Sequence, residues 1–157
     1  MRKSRARLYA VDTSSFSAMH DTYPRKNFPH VWKLMDALMN RGQITSVEEV
    51  LLELDSGPDD VRSWSRKYRY AFWPLTLEIQ TQAREILQAY PLLVDLRKPN
   101  SSADAFLIAR AQLARATVVT EEQRSGGSGK KKIPDVCAGR SIRCTNLLGL
   151  LRIEKLG

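Results

Sequence analysis

YAVDTSSF, residues 9–16, decides how this chain is read. Leu8 to Val11 is a continuous apolar run, the pattern of a central strand covered on both faces, and Asp12 ends it before Thr13 and Ser14. A second segment, SSADAFLIARAQLARATVVTEE (residues 101–122), answers the first. It sets Asp104 in the first turn of an apolar helix, then closes on a β-branched strand, Thr117 to Thr120, that runs into Glu121 and Glu122. A carboxylate at the end of a buried strand can meet one at the mouth of a helix above a parallel sheet. Two or more such acids suit a divalent cation.

Working outward, residues 13 to 30 are rich in Ser, Thr, Asn and Pro and predict a loop, with at most a short helical turn. Val31, Leu34, Met35, Leu38 and Met39 follow helical spacing, and Gly42 stops that helix. Gln43 to Ser46 predicts a second strand. A helix from Val47, with Val50, Leu51 and Leu54 on one face, ends before Ser56-Gly57-Pro58. Asp59 and Asp60 open another, through Trp64 and Tyr68 towards Phe72, and Pro74 breaks it. Leu75 to Tyr90 is the next helix and Leu92 to Leu96 a third strand. Ser101 or Ser102 caps the helix carrying Phe106, Leu107, Ala111 and Ala114. A polar, Gly-rich loop spans 123 to 132, Ile142 to Thr145 predicts a last strand, and an amphipathic helix ends the chain. This alternation of strands and helices points to an α/β class with a parallel sheet.

The 157 residues suit one compact domain over 1–157, with 43% hydrophobic residues to form its core. A balance of 25 Lys and Arg against 17 Asp and Glu leaves a net charge of +8, which suits a polyanionic partner. No apolar stretch approaches the ~20 residues that span a bilayer. After MRKSRAR, the run LYAV is too short for a secretory signal, so a cytoplasmic location and no membrane partner are expected. Cys137 and Cys144 lack metal-ligand spacing and are read as reduced thiols.

Each acid also has a plain structural role. Asp12 can cap the strand end by accepting from the following amides. Asp104 gains about 0.3–1 kcal/mol from the helix dipole. Glu49 and Glu53, four apart on one helix, repel each other weakly. Of the two, Glu53 is preferred as a ligand, because its Glu-Leu pair precedes a polar turn near the sheet edge. Alternation lets only one of Glu121 and Glu122 face a cleft, and Asp135 beside Pro134 fits turn chemistry.

GGSGKKK (126–132) lacks the glycine spacing and the Lys-Ser/Thr ending of a phosphate loop and reads as a solvated loop. Trp64, Tyr68, Tyr70, Phe72 and Trp73, interleaved with Arg66, Lys67 and Arg69, can stack bases but fit core packing with a basic outer face better. His20 and His30 have no partner pattern and read as surface residues. No Ser-His-Asp or Cys-His nucleophile set is present.

Taken in order, YAVDTSSF, ITSVEEVLLEL and SSADAFLIARAQLARATVVTEE resemble the PIN-domain ribonucleases of bacterial toxin–antitoxin pairs, the VapC-like toxins. The ending KKKIPDVC…CTNLLGLL is similar to one subgroup of PIN-like proteins. The resemblance covers Tyr9 to the C-terminal helix. It implies a three-layer α/β/α PIN-like fold with a mostly parallel sheet of about five strands, and Mg²⁺-dependent cleavage of RNA. Asp12, Glu53 and Asp104 match the family's first three acids. Glu122 is favoured as the fourth, with Glu121 and Asp135 in reserve. These acids would be both catalytic and metal-binding, with Mg²⁺ or Mn²⁺ suited to hard oxygen ligands, and Thr13 and Thr120 would orient water or a carboxylate. RNA and a cognate antitoxin are the implied partners, and such proteins commonly form homodimers. The alternative is a catalytically silent PIN-like module that binds nucleic acid or protein. A phosphotransferase is disfavoured, because Asp12 is followed by Thr13-Ser14 and not by a DxDxT-type nucleophile.

Overall fold

Five strands form one parallel sheet in the order β3-β2-β1-β4-β5. They are β1 (Tyr9–Val11), β2 (Ile44–Val47), β3 (Phe72–Trp73), β4 (Thr117–Val119) and β5 (Cys144–Thr145). The computed structural model describes residues 5–93, 103–125 and 131–155. Tyr9 pairs with Ile44 on one side and Thr117 on the other, so β1 occupies the middle. All three of its residues are 0% exposed.

Eight α-helices among the described residues flank the sheet in a three-layer α/β/α arrangement. They are α1 (Thr13–Asp21), α2 (Pro29–Asn40), α3 (Glu48–Asp55), α4 (Asp59–Lys67), α5 (Leu77–Ala89), α6 (Ala103–Ala114), α7 (Ile133–Gly139) and α8 (Leu147–Ile153). Helix α6 packs on β1, β2 and α5, and α1 packs on α3 and α4. Buried Ala103, Ala105, Ala109 and Ala111 let α6 lie close to the sheet. One buried cluster joins Tyr9, Phe16, Met35, Ile86, Leu107 and Leu150. Among the described residues no helix is long and apolar enough to cross a membrane.

The elements depart from expectation where local propensity and packing disagree. The loop expected over 13 to 30 contains α1, because Phe16 and Met19 are fully buried and Phe16 meets Phe72 and Trp64 at ring-centroid distances of 5.5 and 5.9 Å. That burial outweighs the weak helix propensity of Thr and Ser. Val47 belongs to β2, not to the helix after it. Helix α4 ends at Lys67, and a 3-10 turn (Arg69–Ala71) leads into β3, too short a strand to show a period in sequence. Helix α5 begins at Leu77, capped by Thr76, whose hydroxyl accepts the Ile79 amide at 3.2 Å.

Where the third strand is expected, Pro91–Leu93 is a 3-10 turn, and 94–96 lie outside the described residues, as do Ser101 and Ser102. The Gly-rich stretch expected as a loop lies outside the described residues over 126–130; helix α7 follows it, with Pro134 in its first turn, where a missing N–H costs nothing. The last strand is only Cys144–Thr145. Gly42 follows α2 at φ 69°, the left-handed turn its position requires.

The aromatic cluster divides between core and surface. Trp64, Tyr68 and Phe72 are buried, whereas Tyr70 and Trp73 are exposed. The Trp64 indole and the Tyr68 hydroxyl both donate to Asp36 Oδ1 at 2.7 Å. His20, on α1, has a partner after all, Asp60 at 2.8 Å on α4. Phe16→Ala is expected to cost roughly 3–5 kcal/mol, read from the denaturant midpoint. A loss below about 1 kcal/mol would mean that α1 does not anchor the core.

Candidate active site

Asp12 takes its position from β1. Its amide donates to Val119 O at 2.9 Å, continuing the β1–β4 ladder by one residue, and its side chain is only 6% exposed. It occupies the N-cap position of α1, yet its carboxylate makes no cap bond to the helix amides. Oδ2 instead accepts the hydroxyls of Ser14 at 2.7 Å and Thr120 at 2.9 Å. The buried charge is therefore held by side chains from two elements at the carboxyl edge of the sheet.

Three successive hydroxyls in the first turn of α1 serve three different carboxylates. Thr13 donates to Glu53 Oε2 at 2.5 Å, Ser14 to Asp12, and Ser15 to Glu121 Oε2 at 3.2 Å. Successive helical residues fan out by about 100°, so one turn reaches α3, the end of β1 and the segment after β4. Ser14 Oγ also accepts the Glu121 amide at 3.0 Å. Ser14 and Ser15 are the site residues that sequence reasoning did not assign. Their signal was the run Thr-Ser-Ser directly after the strand-ending acid.

Glu53 lies near enough to Asp12 for their charges to interact. Burial pushes its carboxyl above the usual range, and Asp12 and Glu49 add to the rise, against the lowering effect of the Thr13 hydroxyl. Glu49 is raised by burial, with Glu48 contributing, and its Oε2 is buried without a hydrogen-bond partner.

The acids after β4 hold backbone. Glu121 Oε2 accepts the Leu147 amide at 3.1 Å, fixing the start of α8. Glu122 Oε2 accepts the Ile133 amide at 3.1 Å at the start of α7. Asp135 accepts the amides of Lys132 and Ser125, and the Lys132 bond leads in holding it below the ordinary carboxylate range. Asp104 is half-buried in the first turn of α6. Because α6 leads into β4, that turn lies towards the carboxyl edge of the sheet. The structure thus couples Asp12 and Glu53 directly. Among the described residues, no group of three or more His, Cys, Asp or Glu side chains is gathered to hold a metal ion, so the four acids do not form one ligand shell.

Residues 9–157 match a family described as a domain of unknown function, DUF4411. The chain belongs to this family. The DUF4411 match starts at the first residue of β1 and includes every acid described above. No curated protein matches the chain.

The raised Glu53 has a signed consequence for stability. The folded chain keeps that proton to higher pH than the unfolded chain does. The associated stability is complete below the ordinary glutamate pKa of about 4.3 and is lost as pH rises through the raised value. Glu53→Gln keeps an acceptor for Thr13 and removes the buried charge. Its thermal midpoint should exceed that of the parent at pH 7 and converge with it near pH 4. A variant that melts below the parent at pH 7 would contradict this assignment.

Proposed function

We propose that the chain is a Mg²⁺- or Mn²⁺-dependent endoribonuclease of the PIN kind. It hydrolyses RNA phosphodiester bonds in the cytoplasm as the toxin of a toxin–antitoxin pair. The observation that supports this reading is the Asp12–Glu53 pair at the end of the central strand, a buried and a half-buried carboxylate whose charges interact, Glu53 being held by the Thr13 hydroxyl. Open parallel sheets place ligands at that edge. The toxin role and the antitoxin partner rest on the resemblance of the motifs.

The donor set fits the ion. Mg²⁺ is commonly held by one or two carboxylates, with water and substrate phosphate filling its remaining positions. Asp12 and Glu53 would hold it, and among the described residues no third His, Cys, Asp or Glu is gathered with them. Such an ion supplies stabilisation of the negative charge that builds on the scissile phosphate. Thr120 and Ser14 fix the Asp12 carboxylate before substrate arrives, so no reorganisation is needed there. Thr13 does the same for Glu53. In this reading Asp104 and Glu122 stand outside the ion's direct ligands and orient water.

Asp12→Asn is expected to lower Mg²⁺-dependent RNA cleavage at least about a hundredfold. Millimolar Mg²⁺ should raise the melting midpoint of the parent but not of Asp12→Asn, because only the parent presents the full charge. Expression of the parent should arrest growth and that of Asp12→Asn should not. Equal cleavage by the two proteins would remove the site assignment.

A second reading is a catalytically silent module that binds nucleic acid or protein. It is favoured by Glu121 and Glu122, which both spend an oxygen on helix-start amides. RNA binding that survives EDTA and Asp104→Asn, without any cleavage, would select it.

A further inference from the structure

We propose that single-stranded RNA lies along the edge strand β5, its phosphates held by an arginine groove at the amino edge of the sheet; this rests on the ribonuclease reading and extends it. The groove holds about 750 Å³ and is lined by Arg5, Arg7, Arg115, Arg140 and Arg143. No Asp or Glu lines it, and none of the five is ion-paired among the described residues. A second groove of about 610 Å³ is lined by Thr120, Glu122 and Arg124 at the carboxyl edge. The two share Ile142, Cys144 and Thr145, so they adjoin at β5. Strands this short separate the two edges by roughly 10 Å. A chain seated on the arginines is thereby led towards the acids.

Helix ends account for part of the cluster only. Arg115 follows α6 and Arg140 follows α7, where a cation offsets the helix dipole. Arg5, Arg7 and Arg143 sit at no helix end. Arg115 is held at φ 56°, in a left-handed position where glycine is the usual residue. Arg140 is directed by its Nε donating to Gln112 Oε1 at 2.9 Å. All five cations are arginine, whose planar fork matches phosphate oxygens in pairs. The one aromatic in the lining, Tyr9, is 0% exposed, so the groove grips backbone and does not stack bases. RNA is preferred over an acidic peptide because the adjoining groove is lined by Thr120, whose hydroxyl holds Asp12 of the proposed reaction site.

The test uses the full chain carrying Asp12→Asn, in EDTA, titrated against a labelled single-stranded RNA. Against it stands the same chain with Arg7→Gln, Arg115→Gly and Arg143→Gln added. Affinity at low salt should fall at least tenfold, and the slope of log affinity on log salt should lessen by about 2, at about 0.7 for each lost phosphate contact. Arg115→Gly also relieves the left-handed backbone, and a thermal melt of each variant separates lost binding from lost folding. Unchanged affinity and slope in a folded triple variant overturn the proposal. So does ATP or pyrophosphate binding as tightly as RNA with the same arginine dependence, which would mark a small-polyphosphate site, or displacement of RNA by equimolar poly-glutamate. Arginine-dependent binding without cleavage by the parent chain would remove the ribonuclease reading and leave the groove. Cleavage of dilute RNA that the three arginine substitutions do not slow would remove the groove and leave the ribonuclease.

Discussion

A parallel sheet has to be covered on both faces, and β1 is where that constraint bears hardest. Tyr9, Ala10 and Val11 have no exposed surface, and each backbone edge of the strand is paired, to β2 and to β4. The surrounding helices follow from this. Helix α6 covers β1 and β2 with small side chains, which brings its axis close to the sheet and its first turn, with Asp104, towards the carboxyl edge. Arg110 ties the same helix to the neighbouring strands. Its Nε donates to Thr45 Oγ1 at 3.0 Å, and its guanidinium stacks 3.7 Å from the Trp73 ring centroid. A burial requirement at the centre thus sets the position of groups at the rim.

The rim carries charge that the fold does not easily tolerate. Asp12 is nearly buried, and burial, with a smaller contribution from the Asp12 charge, raises the affinity of Glu53 for a proton. Removing a carboxylate from water costs free energy unless hydrogen bonds replace the lost solvation. Thr13, Ser14 and Thr120 supply those bonds, each from a side chain that adds no charge of its own. Hydroxyls fix the geometry but leave the mutual repulsion of the acids in place. A cationic ligand of the kind proposed above would relieve that repulsion.

The buried strands were legible because their patterns are local. A continuous apolar run ending in Asp12, and a β-branched run ending in Thr120, place β1 and β4 within a residue or so of the observed bounds. Short elements were legible only in part: β5 was expected within 142–145, and β3 and α1 were not. Strand β3 has two residues, too few to show a period, and α1 owes its helix to the contacts of Phe16 with distant Trp64 and Phe72. The same divide holds for the site. Asp12 stands out from sequence because it interrupts an apolar run. The backbone roles of Glu121 and Glu122 depend on where α8 and α7 begin, and nothing within TVVTEE encodes that. Preferring Glu53 over Glu49 relied on the turn that follows it; in the structure Glu53 accepts the Thr13 hydroxyl, whereas Glu49 Oε2 has no hydrogen-bond partner.

The two ends of the sheet carry opposite charge, and the backbone accounts for only part of this. Helices α1 and α3 begin at the carboxyl edge and present amide groups towards the acids, while α6 and α7 end at the amino edge and present carbonyls towards arginines. Such dipole effects amount to about 0.3–1 kcal/mol and fade within one turn. They suffice for Arg115 or Arg140 taken singly. They do not explain five guanidinium groups around one groove that no carboxylate lines among the described residues, because each added cation repels the others while the dipoles stay fixed. Solvent and salt weaken that repulsion without removing it. An arrangement that costs stability in the isolated chain and is relieved by a polyanion is what a binding surface requires. The acid edge has the complementary property towards a cation, and the two edges are joined by one strand, β5.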